Sequence, residues 1–171
     1  MIVEIISGLG QLAFEAYDKY IEPSHNLDES VEEEIQERIA VARISVSLWS
    51  HCSLIDNEMS KEEDELTDLL IGSLFEDDSL FPAGFPDRDI ISEELLRTFN
   101  NPFSMKTIIN FAKENDELAT NLYHQACMII ASDHSIKEEE KEFLEDLAVE
   151  LEISRMDRRK IEKAYLSAVP N

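Results

Sequence analysis

The spacing of the apolar residues is the feature that most limits the folds open to this chain. Through most of its length Leu, Ile, Val and Ala recur every three or four residues among Glu, Lys and Gln. Only four Gly and five Pro occur, so few breaks interrupt this pattern. It predicts an all-α fold, a compact bundle of seven or eight helices. With 171 residues, 43% of them hydrophobic, the chain is long enough to build a core of its own.

Capping signals set the predicted helix boundaries. Ser30 with Glu33 forms a capping box and predicts a helix from there to about residue 55, and Ser154 with Asp157 starts the last helix. The other predicted helices cover about 60–75, 89–99, 103–112 and 116–131, with one more ending near 151. The residues expected to face inward are Leu66, Leu69, Leu70 and Leu74 in the third helix and Ile161, Ala164, Tyr165 and Ala168 in the last.

The main predicted loop, residues 76–88, holds two Pro, one Gly and two aromatic residues, Phe81 and Phe85. These aromatic side chains either dock a partner or pin the loop onto its own domain, and the second arrangement is the more usual one. We therefore expect them to pack inward.

Residues 1–29 are predicted to form an amphipathic helix and a linker ahead of a helical domain at 30–171. The apolar stripe of this helix consists of Ile2, Ile5, Ile6, Leu9, Leu12, Ala16 and Tyr20. Such a stripe either packs on the core of the domain or docks elsewhere, for example at a membrane surface through residues 1–21. Membrane-surface helices usually carry Lys and Arg on the polar face, so packing on the core is favoured.

The strong negative charge limits the classes of partner. The chain has 38 Asp and Glu against 15 Lys and Arg, a formal net charge of -23. Such a field repels phosphate backbones and attracts cations and basic protein surfaces, so we expect protein partners and no nucleic acid.

Two further patterns bear on location. No apolar run approaches the roughly 18 to 20 residues that span a bilayer, and the first residues carry no positive charge of the kind that begins a secretory signal. Cys52 and Cys127 lack metal-binding spacing, which favours buried thiols in a reducing compartment. We expect a cytoplasmic protein without a transmembrane segment.

Two acidic helix-turn-helix elements, 56–63 and 133–140, indicate an internal duplication. A shift of 77 positions superimposes one on the other. The matched pairs include Asp56 with Asp133, Glu63 with Glu140, Met59 with Ile136, and Leu66 with Phe143. In so acidic a chain the matches between apolar residues carry the argument, because some coincidence of carboxylates is expected.

The four matched carboxylates Asp56, Glu63, Asp133 and Glu140 are the candidate metal ligands. If the halves pack about a pseudo-twofold axis, these side chains converge into an oxygen-only cluster that suits Ca²⁺, Mg²⁺ or Mn²⁺. The same residues also satisfy the N-termini of the following helices without any metal, and both alternatives stay open. Neither turn is an EF-hand, because the Gly required at the sixth loop position is missing from both.

The pattern Asp-x-x-[Ile/Met]-x-x-x-Glu between two helices, present twice, resembles the TerB-like domains of tellurite-resistance proteins. The match extends over about 30–168 and is best at 130–144. It implies a helical bundle, acidic sites attributed to divalent cations, and a role in stress response or complex assembly without established catalysis. The family usually has Gly after each Asp, whereas this chain has Asn57 and His134, which adopt a positive φ less readily.

The sequence contains none of the usual catalytic signatures. It has no GxSxG, no Gly-rich phosphate loop and no HExxH, and no catalytic or cofactor-binding residue is predicted. His51 and His124 precede the acidic turns and are either additional ligands or hydrogen-bonded structural residues. We interpret the chain as a non-catalytic acidic interaction protein. The alternatives are a dedicated divalent-cation sensor and, less favoured, a hydrolase that uses clustered carboxylates.

Overall fold

The computed structural model describes residues 2–21, 30–55, 61–132 and 135–166; in the first turns of α1 and α3 it describes the backbone and not every side chain. In those residues the chain forms eight helices and no strand, which confirms the all-α prediction. The helices are α1 (Ile2–Ile21), α2 (Val31–Ser53), α3 (Lys61–Ser73), α4 (Arg88–Asn100), α5 (Met105–Ala112), α6 (Asp116–Ala131), α7 (Glu138–Glu150) and α8 (Arg155–Tyr165).

Side-chain caps explain where several helices begin. Ser30 Oγ accepts a hydrogen bond from the Glu33 N–H at 3.2 Å, and Ser154 Oγ accepts one from the Asp157 N–H at 3.1 Å, as the capping signals predict. Ser104 caps α5 in the same way, so this helix begins at Met105 rather than at the predicted 103. Residue 60, where the third helix is predicted to begin, lies outside the described residues.

Helix α1 packs against α2, α3 and α6. Its buried residues include Leu9, Ala13, Ala16 and Tyr17. At Gly10 the backbone of α1 approaches α3 so closely that a Cβ atom would lie 2.2 Å from the carbonyl oxygen of Ser73. The described residues of the N-terminal stripe therefore pack on the core, with Ile6, Leu9 and Ala16 buried, which is the arrangement that the sequence favoured; the side chains of Ile2 and Ile5 lie outside the described residues.

Helices α2 and α6 form the centre of the bundle and pack against each other. Trp49 on α2 and Tyr123 on α6 are both fully buried. Cys52 and Cys127 lie on the same two helices as free, buried thiols, as predicted.

The loop between α3 and α4 is held against the bundle. Phe81 is fully buried and its ring centroid lies 5.2 Å from that of Phe85. Arg38 on α2 donates a 2.8 Å hydrogen bond to the Leu80 carbonyl, and Arg88 donates one of 2.6 Å to the Phe75 carbonyl. The aromatic residues thus pin the loop to its own domain, as expected.

Two residues predicted to face inward do not. Leu69 is 48% exposed, because the buried side of α3 carries Leu70 and Ile71, and α1 and α4 pack against this helix. Ala164 is also exposed, because Ile161 is the residue of α8 that reaches the core. The predicted Ala168 lies outside the described residues.

The boundaries and the burial of α3 and α7 follow the 77-residue offset. Both helices are 13 residues long, and their first residues, 61 and 138, are separated by that offset. The buried pairs with the same separation include Val41 and Leu118, Ala42 and Ala119, Leu70 and Leu147, Ile71 and Ala148, and Leu74 and Leu151. These agreements favour the predicted duplication, which stays a prediction.

Candidate functional site

The structure describes one of the four predicted metal ligands in full. Asp56 and Asp133 lie outside the described residues, and of Glu63 only the backbone, within the first turn of α3, is described. Glu140 is 6% exposed, and its Oε2 accepts a 2.8 Å hydrogen bond from the backbone N–H of Lys137 at the start of α7. Glu140 therefore acts as the acidic partner of a helix N-terminus, one of the two roles that its sequence position allows.

Glu140 also lies close enough to the end of α2 to affect Cys52. Burial raises the pKa of the Cys52 thiol, and the neighbouring Cys127 and Glu140 raise this pKa further through their charges. The charge of Glu140, in the second acidic element, thus acts on Cys52, which precedes the first element by four positions in the sequence. Among the described residues there is no group of three or more His, Cys, Asp and Glu arranged to hold a metal ion.

The two candidate histidines take structural positions. His51 Nε2 lies 2.7 Å from the carbonyl oxygen of Phe103, in a hydrogen bond that ties α2 to the turn before α5. His124 Nδ1 lies 3.3 Å from the Tyr165 hydroxyl, and the two rings meet edge to face with centroids 5.6 Å apart. Within the described residues, both imidazoles are hydrogen-bonded to protein groups. They therefore take the structural role, one of the two roles predicted for them.

An open groove of about 830 Å³ lies between α1, α6 and α8. We call it the acidic groove. Its lining residues are Leu12, Glu15, Asp18, Lys19, Ile21, Asp116, Glu117, Thr120, Asn121, His124, Asp157 and Tyr165. Five of these side chains are carboxylates and one is a lysine, so the groove concentrates the negative charge of the chain.

The carboxylates of the acidic groove differ in how their charge is compensated. Lys19 Nζ lies 2.8 Å from Glu117 Oε2, and Asp157 Oδ2 accepts a 2.7 Å hydrogen bond from the Ser154 hydroxyl. Within the described residues, the carboxylates of Glu15, Asp18 and Asp116 make no hydrogen bond or ion pair. Three carboxylates are thus available to an incoming cationic group.

His124 and Tyr165 are half-buried residues of the groove lining, and we call them its floor. The exposed carboxylates of Glu15, Asp18 and Asp116 are its rim. Burial lowers the pKa of His124, while the charge of Glu15 acts in the opposite direction. Burial also raises the pKa of Tyr165, and the charges of Cys127 and Glu15 raise it further. The floor therefore favours an uncharged imidazole and phenol, while the rim is anionic.

Sequence reasoning missed the acidic groove. Glu15, Asp116 and Asp157 come from three helices that are separated in the chain, and the one local motif among them, the Ser154–Asp157 cap, gives no sign of a groove. The 38 acidic residues offer no means of selecting these few before the packing of α1 on α6 is known.

Comparison of the chain with protein-family models, with curated proteins and with solved structures gives no match. No described helix is both long enough and apolar enough to cross a membrane.

Proposed function

We propose that this chain is a non-catalytic interaction protein whose acidic surface recognises basic regions of partner proteins rather than nucleic acid. The observation that carries the proposal is a difference between the positive and the negative side chains in the contacts that they make. Arg38 and Arg88 hold an internal loop in place through hydrogen bonds to its carbonyl groups. Three carboxylates that line the open acidic groove, in contrast, have no hydrogen-bonding or ionic partner among the described residues. An anionic surface of this kind accelerates the association of cationic partners and disfavours phosphate backbones.

Arg38 and Arg88 illustrate this internal use of positive charge. Both donate to backbone carbonyls of the loop that precedes α4, and both lie over aromatic rings. The Arg38 guanidinium carbon is 4.8 Å from the ring centroid of Tyr17. Arg88 makes no ion pair among the described residues, whereas Arg38 also pairs with Glu34 at 3.0 Å, so Arg88 is the clearer case of positive charge used for internal contacts.

The family assignment that we propose is TerB-like, on the residues 130–144 and 56–63 that carry the resemblance. It is supported by the all-helical bundle and by the shared boundaries and burial of α3 and α7. With it we propose a role in the assembly of protein complexes during stress, including tellurite resistance. The buried, free Cys52 and Cys127 support a reducing, cytoplasmic location.

A divalent-cation sensor is the second candidate, and one specific observation favours it. Glu140 is close enough to Cys52, near the end of α2, for its charge to raise the pKa of that thiol, and this proximity supports a shared site for Ca²⁺, Mg²⁺ or Mn²⁺ formed by the two acidic elements. In this alternative Asp56, Glu63, Asp133 and Glu140 are the ligands.

Calorimetry on EDTA-treated protein separates the two functions. The interaction proposal predicts a folded apo protein with a cooperative thermal transition, which binds a lysine-containing peptide without added metal. The sensor alternative predicts stoichiometric heat on titration with Ca²⁺ or Mn²⁺, a raised melting temperature, and loss of both effects in the double variant Asp56→Asn with Asp133→Asn. An apo protein that is folded but does not bind the peptide would contradict the interaction proposal.

A further inference from the structure

We propose that the acidic groove between α1, α6 and α8 is the docking site for a partner-protein segment that carries Lys or Arg side chains. This inference rests on the proposed function and deepens it, because it assigns that function to one surface. Three independent properties of the groove support it: the uncompensated charge of its rim, the chemistry of its floor and the apolar parts of its walls.

The rim supplies carboxylates from separate helices. Glu15 and Asp18 extend from α1, and Asp116 from the first turn of α6. All three are exposed and, among the described residues, have no hydrogen-bonding or ionic partner. A cationic group that enters the groove is attracted by carboxylates of both α1 and α6, and among the described residues it displaces no ion pair of these three.

The floor adds a surface suited to the same ligand. The edge-to-face pair of His124 and Tyr165 places half-buried aromatic rings, with centroids 5.6 Å apart, in the lining of the same groove. Cationic groups are attracted to aromatic faces, and Arg in particular stacks on them. The lining of the groove therefore combines aromatic rings with carboxylates, both of which attract cationic groups.

The walls accommodate the part of the ligand that is not charged. Leu12 and Ile21 of α1 provide half-buried apolar surface beside the carboxylates. Lys and Arg carry methylene stems that pack on such surface while the charged head reaches the rim. A volume of about 830 Å³ admits several side chains, which favours a peptide segment over a single ion.

The arrangement is poorly suited to a divalent cation. No trio of the groove's His and carboxylates, all within the described residues, is close enough to share a metal ion. A segment with several cationic side chains needs no such convergence, because each head group can pair with a different carboxylate.

Fluorescence anisotropy with a labelled peptide of alternating Lys and Ser tests the proposal on the full chain. The groove variant combines Glu15→Gln with Asp18→Asn, both exposed substitutions on α1. The matched control combines Glu142→Gln with Asp146→Asn, which removes the same charge from the exposed face of α7. A peptide with Gln in place of Lys controls for the backbone, and the thermal transition of each variant confirms that it is folded.

We expect the groove variant to weaken binding about tenfold and the control variant less than about twofold. Equal weakening in both variants would overturn the groove assignment and leave the interaction function standing, because binding would then depend on overall charge alone. Failure of the wild-type protein to bind the Lys peptide at low ionic strength would overturn both proposals.

Discussion

The indole N–H of Trp49 donates a 2.8 Å hydrogen bond to Oε1 of Gln125, which joins α2 to α6 at the fully buried centre of the bundle. The amide of Gln125 in turn donates to Asn121 Oδ1 at 2.8 Å, and Asn121 donates to the Leu12 carbonyl of α1 at 3.0 Å. This chain of hydrogen bonds fixes the positions of three helices, two of which line the acidic groove.

The first prediction concerns these hydrogen bonds between α2, α6 and α1. We expect Gln125→Leu to lower the free energy of unfolding by about 1–3 kcal/mol, because it leaves the buried Trp49 N–H without an acceptor. Chemical denaturation measures the loss. Adding Trp49→Phe removes the unpaired donor, so the double variant should be more stable than the sum of the single losses predicts. Strict additivity would contradict the coupling.

The second prediction compares two glycines. Gly10→Ala should destabilise the protein by about 2 kcal/mol or more, since the new Cβ would lie 2.2 Å from the Ser73 carbonyl oxygen and force α1 away from α3. Gly72→Ala, where nothing lies within 4 Å, should instead stabilise α3 by up to about 1 kcal/mol. The midpoints of thermal unfolding check both signs. A neutral Gly10→Ala would refute the close approach.

The third prediction concerns Arg38, which holds the loop before α4 against the bundle. Arg38→Gln should lower stability by about 1–3 kcal/mol, because it removes the bond to the Leu80 carbonyl and the packing on Tyr17. Arg97→Gln serves as the control: its side chain is 77% exposed and its ion pair with Glu93 is at the surface, so a change within about 0.5 kcal/mol is expected. Urea denaturation of both variants measures the difference.

The fourth prediction is a dependence on pH that arises at His124. Burial lowers the pKa of this imidazole in the folded protein, so the unfolded chain binds its proton more readily. Its contribution to stability is therefore retained above the unfolded pKa and lost as the pH falls through about 6.5 towards the folded value. Glu15 of α1 and Tyr165 of α8 are the ionisable groups that act with it.

The measurement for His124 is the difference in melting temperature between the wild type and His124→Gln across the range from about pH 7.5 to 5. The wild type should lose about 2–4 °C relative to the variant as the pH falls, since the variant has no imidazole to protonate. A difference that is constant with pH, or that changes in favour of the wild type, would show that the imidazole is not desolvated.

The helices could be predicted from sequence because their signals are local. Ser30 and Ser154 cap the helices that follow them, and the spacing of apolar residues carries the rest. The side of each helix that is buried was harder to predict. Leu69 is as apolar as Leu70, and only the positions of α1 and α4 decide which of the two is buried. Local chemistry sets where a helix begins, and tertiary packing sets which side it buries.

The candidate sites also differ in whether their residues are close together in the sequence or are brought together by packing. The acidic elements at 56–63 and 133–140 are continuous in sequence and therefore visible as a repeat, and Glu140 is found in the capping role that its position allows. The acidic groove depends on Glu15 and Asp116 meeting across two packed helices, about a hundred positions apart in the chain. No periodicity or motif links such residues before the fold is known.

Calorimetric titration of the alternating Lys and Ser peptide into EDTA-treated protein, at low and at raised salt, tests the central claim most directly. Recognition by uncompensated carboxylates predicts binding without metal at about 50 mM salt that weakens about tenfold or more at about 300 mM, because screening shortens the reach of the charges. Absence of binding at low salt, or an affinity that does not change with salt, would contradict the claim that this acidic chain recognises basic partners through its charge.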